Sequence, residues 1–240
     1  MILYLTSSPC VIHADRPLLT QENDFLRQLQ ADLPAHPKCL YIASSPDEFE
    51  RNARYSRDMV DAFAEAGMTF RELRILQRNT MDRAGQWIDW SDLIILAGGH
   101  VPTQNAFFKE MKLHKLLRDY QGVILGISAG TMNCAAMVYA QPEMPGESID
   151  PTYNRFLPGL GLTYLNILPH YQQVKDDILD DKRLFEDITF ADSFGHSFLV
   201  LPDGSYVKGN NGSSILHGEA YLLEDGKMRQ ICSNDHKLIL

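Results

Sequence analysis

A glycine-flanked serine is the feature of the sequence that most directly suggests chemistry. The segment Gly126-Ile127-Ser128-Ala129-Gly130 has the form G-x-S-x-G, and it lies between the apolar run 123–127 and the small-residue segment 129–138. A buried strand that turns sharply into a helix is the setting in which this motif presents a nucleophile, because the turn projects the hydroxyl beyond the strand end. The pattern therefore predicts that Ser128 is a nucleophile. A tight strand-to-helix turn with a capping serine would have the same sequence.

A second apolar run ends in glycines that can support the same chemistry. Residues 93–96 are followed by Ala97-Gly98-Gly99-His100, and glycines at the carboxyl end of a strand let backbone N–H groups approach a ligand. Neighbouring strands of a parallel sheet deliver their carboxyl ends to one crevice. We therefore expect the N–H groups of Gly99 and Ala129 to form an oxyanion hole, and Gly98 and His100 to line the substrate site. An ordinary glycine turn is the alternative.

A nucleophilic serine needs a base, usually histidine, and a third group that orients the base. Among the eight histidines, His170 is the best placed, because it follows the apolar run 165–168 and so stands at a predicted strand end. Glu143 is the candidate orienting acid, since it lies shortly after the segment that follows Ser128 and two prolines stiffen its loop. A packed strand-end histidine and a solvated loop glutamate are the alternatives that these residues leave open.

The order of apolar and amphipathic segments predicts the fold that must position these residues. Short runs that are apolar on both faces alternate with helical periodicity, which is typical of a parallel sheet covered by helices on both sides. We therefore expect an α/β fold, a three-layer α/β/α sandwich with a mostly parallel central sheet. The predicted strands are 2–5, 39–43, 70–76, 93–96 and 123–127. The predicted helices are 22–29, one that begins in a capping box at 45–48 and stops at Gly67, one that follows Pro102, and 129–138.

The last third of the chain has a different pattern. Short apolar runs between residues 198 and 231 are separated by turn sequences at hairpin spacing, which predicts a C-terminal β-meander. The turn sequences are Pro202-Asp203-Gly204, residues 209–212, His217-Gly218 and Glu224-Asp225-Gly226. No linker or repeat separates this part from the rest, and we expect residues 1–240 to form a single domain.

Composition argues against several classes of function. The 240 residues carry 22 basic and 31 acidic side chains, a formal net charge of −9, which argues against general binding to nucleic acid. No apolar stretch approaches the roughly 20 residues needed to span a bilayer, and the N-terminal run lacks the basic region of a signal peptide. The four cysteines form no CxxC pair and are expected to be reduced structural thiols. We therefore expect a cytoplasmic protein without nucleic-acid, membrane or metal partners.

Four short segments, taken in order, resemble a known family of serine peptidases. They are Gly-Ile-Ser-Ala-Gly at 126–130, Pro-Glu-Met-Pro at 142–145, Leu-Pro-Gly-Leu-Gly-Leu at 157–162 and Leu-Pro-His-Tyr at 168–171. Their order and spacing resemble peptidase family S51, which includes aspartyl dipeptidase (peptidase E) and cyanophycinase, over nearly the whole chain. The resemblance implies a fold similar to class I glutamine amidotransferases. It also implies a Ser128–His170–Glu143 triad that works through an acyl-enzyme, a small peptide substrate, and no metal or organic cofactor.

Two departures from the family pattern concern the substrate. The resemblance implies a Gly-Gly-Gly-Asn loop where this chain has Ala97-Gly98-Gly99-His100, so His100 is expected to alter specificity. It also implies an arginine downstream of the catalytic histidine that holds a substrate aspartate, but none of Lys175, Lys182 and Arg183 aligns with that arginine. A strict preference for N-terminal aspartate is therefore not expected.

The leading hypothesis is a serine exopeptidase that acts on small peptides, as a monomer or a homodimer. An esterase of the α/β-hydrolase fold would share the G-x-S-x-G turn, but its acid normally follows a later strand, whereas the best acid here lies just past Ser128. The third hypothesis is a non-catalytic homologue that binds a small ligand in the same crevice. Such a protein would have no need of Ser128, His170 and Glu143 together.

Overall fold

Strands and helices alternate along the chain in the structure, a computed structural model that describes residues 1–13, 16–210 and 212–240. Within those ranges the strands are β1 (Ile2–Thr6), β2 (Cys10–His13), β3 (Arg16–Leu19), β4 (Lys38–Ile42), β5 (Glu72–Leu76), β6 (Leu93–Leu96), β7 (Val123–Ile127), β8 (Met137–Tyr139), β9 (Phe156–Pro158), β10 (Asn166–Leu168), β11 (Ile178–Leu179), β12 (Lys182–Arg183), β13 (Ser197–Val200), β14 (Tyr206–Asn210), β15 (Ser213–His217), β16 (Ala220–Glu224), β17 (Lys227–Cys232) and β18 (Lys237–Ile239).

The α-helices in the same ranges are α1 (Phe25–Asp32), α2 (Phe49–Glu65), α3 (Ala84–Trp90), α4 (Val101–Glu110), α5 (Leu113–Leu116), α6 (Ala129–Met132), α7 (Tyr171–Val174) and α8 (Phe190–Asp192). Three further helical turns, Glu22–Asp24, Arg78–Arg83 and Leu184–Thr189, directly precede α1, α3 and α8. No helix of the described residues is long and apolar enough to cross a membrane.

A central sheet of eight strands, in the order β18-β15-β14-β1-β7-β6-β4-β5, places the chemistry-bearing loops side by side. Strands β1, β7, β6, β4 and β5 are parallel, whereas β14, β15 and β18 complete the sheet antiparallel to their neighbours. Because β1, β7 and β6 are adjacent and parallel, their carboxyl ends lie at one edge of the sheet. The segments that leave that edge begin at Ser7, Ser128 and Ala97.

Helices cover both faces of this sheet, because alternate side chains of its strands are apolar in both directions. On one face Tyr4 and Ile95 pack with α1 and α2 through residues such as Phe25. On the other face Leu5 and Leu96 pack with α3, α4 and α5 in a separate core. The predicted three-layer α/β/α sandwich with a mostly parallel sheet is therefore confirmed.

The hairpins of the last third of the chain are divided between two sheets. Strands β14 and β15 join the central sheet, whereas β16 and β17 belong to a second sheet of order β10-β13-β16-β17. In that second sheet β10 and β13 are parallel, and the sheet packs over a third core that includes Leu168, Phe185 and Phe198. The predicted turn at 209–212 includes Asn211, which lies outside the described residues.

The segment 45–48 does not form the capping box that its sequence suggests. Helix α2 begins only at Phe49, and no side chain caps it. The carbonyl of Ser45 accepts hydrogen bonds from the N–H of Glu48 and the side-chain amide of Asn52, and the carbonyl of Pro46 accepts one from the N–H of Arg78. These contacts hold the segment in a turn. The predicted stop is confirmed, since α2 ends at Glu65 and Gly67 has φ 78°.

The helix after Ser128 is shorter than predicted. The sequence favours a helix over 129–138, but α6 ends at Met132 and β8 begins at Met137. The carbonyl of Asn133 accepts the N–H of Leu160, and those of Cys134 and Ala135 accept N–H groups of residues 162 and 161. Because these carbonyls are engaged by a distant segment, they cannot continue the helical ladder.

Candidate active site

Ser128 lies in the strained turn that the sequence predicts. It has φ 51° and ψ −112°, and a non-glycine residue in such a sparsely populated region costs on the order of 1–3 kcal/mol. Its N–H is fixed by the carbonyls of Thr6 and Ser7 at 3.2 and 3.1 Å. The flanking glycines make the turn possible, since a Cβ at Gly126 would meet Thr131 and one at Gly130 would meet the backbone of Leu96.

The glycine loop that follows β6 packs against this turn. A Cβ at Gly98 would lie 3.5 Å from the Cβ of Ser128, and one at Gly99 would collide with the side chain of Ser44. The N–H groups of Gly99 and Ala129 donate no hydrogen bond to any of the described residues. Unpaired backbone donors are one requirement of an oxyanion hole, and the role of Gly99 and Ala129 in one stays a prediction.

His170 stands just beyond the carboxyl end of β10, in a left-handed conformation with φ 59° and ψ 28°. Its N–H donates to Ser7 Oγ at 2.7 Å, which anchors the backbone. Its Nδ1 lies 2.8 Å from Asp203 Oδ1. An ionised carboxylate only accepts hydrogen bonds, so this contact requires a proton on Nδ1, and in the neutral form of the ring Nε2 is then the acceptor.

The carboxylate that contacts the His170 ring is that of Asp203, and among the described residues no hydrogen bond joins His170 to Glu143, the predicted acid. Strands β10 and β13 are parallel with Leu168 opposite Val200, so the residues just past their carboxyl ends, His170 and Asp203, come together. Sequence reasoning missed Asp203 because Pro202-Asp203-Gly204 is also a turn sequence. A signal was present nonetheless, since an acid follows the apolar run 198–201.

Several donors keep Asp203 ionised. Burial by itself would raise the pKa of this carboxyl, but the hydrogen bonds from His170 and Ser7 outweigh it and hold the pKa below its usual range. Ser7 Oγ donates to Asp203 Oδ1 at 2.6 Å, and Gln173 Nε2 donates to Oδ2 at 2.6 Å. A negative charge is therefore available to stabilise a protonated His170.

Ser7 links the two halves of this arrangement. It is fully buried after β1, its carbonyl accepts the N–H of Ser128, and its hydroxyl accepts the N–H of His170 while donating to Asp203. Sequence reasoning gave no role to this residue. Its importance follows from the position of β1 beside β7 in the sheet.

Glu143 lies in a loop at the rim of the site. Its Oε1 accepts the N–H of Val101 at 3.3 Å, and Glu147 Oε2 accepts the N–H groups of Glu143 and Met144 at 2.9 Å each. Partial burial raises the pKa of Glu143, although the neighbouring His100 opposes this effect. The carboxylate accepts the backbone N–H of Val101, lies 3.9 Å from the His100 ring nitrogen, and belongs to a residue that lines the cavities beside Ser128.

His100, which replaces the asparagine that the resemblance implies, fixes that loop. Its Nε2 lies 2.8 Å from Glu147 Oε1 and 3.9 Å from Glu143 Oε1, and its Nδ1 lies 2.7 Å from Thr103 Oγ1. Since Glu147 also holds the backbone of residues 143 and 144, His100 acts on the position of Glu143 through Glu147.

These groups converge on two adjoining cavities. Gly99, Ser128, Glu143 and His170 line both of them. No direct hydrogen bond joins the side chains of Ser128 and His170 in the described part of the chain, which is common in sites without substrate. Of the residues predicted from sequence, the structure thus gathers Ser128, His170, Gly99 and Glu143 around one space, while Asp203 contacts His170.

Comparisons with known proteins agree with this architecture. A crystal structure of a peptidase from an acI-B1 Actinobacterium superposes with a TM-score of 0.69 at 15% identity, over 100% of this chain and 96% of that one. A putative peptidase E protein from Listeria monocytogenes EGD-e gives a TM-score of 0.55 at 16% identity, over 96% and 97% of the two chains. No curated protein matches in sequence. The model of peptidase family S51 matches residues 4–216, and the chain therefore belongs to peptidase family S51.

Proposed function

We propose that this peptidase is a serine exopeptidase that removes the N-terminal residue of small peptides with Ser128, His170 and Asp203. The observation that carries the proposal is the meeting of a strained, glycine-flanked serine and a carboxylate-bound histidine on one cavity. Serine hydrolysis requires this set of roles, whatever fold supplies it.

The proposed reaction proceeds through an acyl-enzyme. Ser128 Oγ attacks the scissile carbonyl carbon while His170 Nε2 accepts the hydroxyl proton, and Asp203 stabilises the resulting imidazolium through Nδ1. The N–H groups of Gly99 and Ala129 receive the oxyanion. His170 then donates its proton to the leaving amine, and a water molecule, activated by the same nitrogen, releases the acyl group from Ser128.

Glu143 supports cleavage at the N-terminus. It is a carboxylate on the wall that Ser128 and His170 share, and a free α-ammonium group next to the scissile bond needs such a partner when it leaves water. In this proposal Glu143 binds the ammonium group and does not orient His170. Its role is therefore in substrate affinity and positioning.

Arg51 supports a preference for dipeptides. The larger of the two cavities extends from Ser128 along the start of α2, and Arg51 is the one Lys or Arg side chain among the described residues that lines it. One Arg51 nitrogen donates to Glu48 at 2.9 Å, which leaves other guanidinium donors for a substrate carboxylate. A dipeptide bound there would have its two charged ends at Glu143 and Arg51.

The test is covalent labelling followed by turnover. A fluorophosphonate is expected to label the wild-type protein at Ser128, and to label Ser197→Ala equally, because Ser197 is an exposed serine outside the site. Ser128→Ala should be neither labelled nor active on a mixture of dipeptides. Failure of the folded wild type to react, while a known serine hydrolase reacts in parallel, would favour the non-catalytic ligand-binding hypothesis.

A further inference from the structure

The smaller of the two cavities that Ser128 lines has a composition and a size that bear on the substrate. It encloses about 360 Å³, near the lower end of the range typical of small-molecule sites. Met132, the end of α7 and strand β11 contribute to its lining. Glu143 and Ser128, to which the proposed function assigns the ammonium group and the scissile carbonyl, both line it.

The walls of this cavity are predominantly apolar. The hydrophobic side chains that line it come from five separate segments and include Val101, Met132, Pro169, Val174, Leu179 and Leu184. Its ionisable members are Glu143, His170 and Asp177, and no Lys or Arg lines it among the residues that the structure describes. Asp177 is exposed at the mouth. A side chain that enters the cavity therefore meets carboxylates and His170, and no other charged group of the described lining.

The basic residues nearest in sequence are directed elsewhere. Lys175 pairs with Asp176 at 3.7 Å, and Arg183 pairs with Asp187 at 2.6 Å. Lys182 Nζ lies 3.4 Å from the carbonyl of Ser148. None of the three lines the cavity. The structure thus agrees with the sequence, in which none of these three residues aligns with a substrate-binding arginine.

We propose that this cavity receives an apolar N-terminal side chain of the size of leucine or methionine, and that acidic N-terminal residues are excluded. This inference rests on the proposed function, in which Glu143 binds the ammonium group of the same residue. A carboxylate placed in the cavity would find no cationic partner and would face Glu143 and Asp177; the one side-chain amide in the described lining, that of Gln141, already donates to Thr189 Oγ1 at 2.7 Å. A buried charge without a cationic partner is strongly unfavourable. An apolar side chain would replace water against Met132, Val174 and Leu184 and gain from burial.

The test compares dipeptides that differ only in the first residue. Leu-Ala, Met-Ala, Asn-Ala and Asp-Ala are incubated with the enzyme, and kcat/KM is measured from amino-acid release by mass spectrometry. We expect kcat/KM for Leu-Ala and Met-Ala to exceed that for Asp-Ala by about 100-fold or more. Asn-Ala, the neutral isostere of Asp-Ala, should fall between them. Equal or faster cleavage of Asp-Ala would overturn the inference while leaving the serine peptidase proposal intact.

A charge variant tests whether this cavity sets the preference. Ile178 lines it and is 71% exposed, so Ile178→Lys can be made without disturbing the core. The new cation should lower the Leu-Ala to Asp-Ala ratio several-fold. Ile239→Lys, at an equally exposed isoleucine on β18, should leave the ratio unchanged. An unchanged ratio in Ile178→Lys, or the same change in both variants, would contradict the assignment.

Binding to an inactive variant separates this inference from the proposed reaction. Calorimetric titration of Ser128→Ala with Leu-Ala and Asp-Ala measures the preference without turnover. Tighter binding of Leu-Ala would support the apolar cavity even if the wild type cleaved neither dipeptide, a result that would refute only the proposed reaction. Equal or tighter binding of Asp-Ala would overturn the inference.

Discussion

Replacement of Asp203 by asparagine is the most informative perturbation of this site. The substitution keeps the shape of the side chain and an oxygen that can accept the Ser7 hydroxyl, but it removes the charge that faces His170. Because Ser7 Oγ and His170 Nδ1 both contact Oδ1, the alternative orientation of the amide gives up the Ser7 hydrogen bond and turns an N–H toward Nδ1, which favours the wrong tautomer of the ring. Both effects act on the protonation of His170 in the transition state, so kcat should fall more than KM rises.

The magnitude follows from the geometry of the pair. Unit charges 2.8 Å apart, at an effective dielectric constant of about 20, attract by about 6 kcal/mol, and each 1.36 kcal/mol corresponds to about a tenfold change in rate. The side chains of His170 and Asp203 are 27% and 17% exposed, so water weakens the attraction. We therefore expect a loss in kcat of about 1,000- to 10,000-fold.

The assay is steady-state hydrolysis of the best dipeptide by Asp203→Asn, Glu143→Gln and a control, Asp235→Asn, which alters an exposed carboxylate of a C-terminal turn. Thermal unfolding establishes that each variant is folded. Glu143→Gln should raise KM with a smaller effect on kcat, and the control should match the wild type. The assignment of Asp203 is refuted if Asp203→Asn keeps a tenth or more of the wild-type kcat while Glu143→Gln keeps less than a tenth of it.

Four further outcomes are expected. Ser7→Ala removes a buried hydroxyl that contacts both the base and the acid, and kcat should fall about tenfold with little change in KM; a loss of stability with an unchanged kcat would contradict this. In the proposed function only an ionised Glu143 binds the ammonium group, and burial raises the pKa of Glu143. As the pH is lowered, KM should therefore begin to increase at a higher pH than it would if Glu143 had the pKa of an exposed glutamate. Glu143→Gln should not show this increase. Arg51→Gln should raise KM for Leu-Ala but not for leucine amide, which has no carboxylate, and an equal effect on both substrates would count against an Arg51–carboxylate contact. Burial lowers the pKa of His217 to about 4, so between pH 6.5 and 4 the unfolded chain binds a proton at this residue that the folded chain does not bind. The free energy of unfolding should therefore drop by up to about 3 kcal/mol as the pH falls over that range. In urea titrations His217→Phe, which keeps the stacking on Tyr206, should show a smaller drop.

At the glycine loop, the sequence and the structure give different information about substrate specificity. The sequence indicates that His100 departs from the family pattern, which points to an altered substrate. In the structure His100 contacts Glu147, and Glu147 holds the backbone of the loop that carries Glu143. A histidine at position 100 therefore affects how Glu143 is positioned. The hypothesis that His100 contacts the substrate itself stays a prediction, since it also lines the larger cavity.

Local patterns also predicted more helix than the fold contains. The capping sequence at 45–48 and the small residues at 129–138 favour helices by propensity, but their carbonyls are engaged by Asn52, Arg78 and residues 160–162. Propensity is a weak preference, and tertiary hydrogen bonds readily override it. Except for Asn52, these partners lie more than 20 residues away, so the sequence around each predicted helix does not reveal them.

The sequence by itself determined the features that depend on neighbouring residues. The parallel sheet follows from strands that are apolar on both faces, and the Ser128 turn is marked by glycines two residues before and after it, at positions where a Cβ would meet Thr131 or the backbone of Leu96. The tertiary structure alone decided which acid serves His170. Glu143 is close to Ser128 in sequence, but the parallel pairing of β10 with β13 brings Asp203 to the histidine. Strand pairing is set by the packing of the whole second sheet, so no local pattern around His170 could distinguish the two carboxylates.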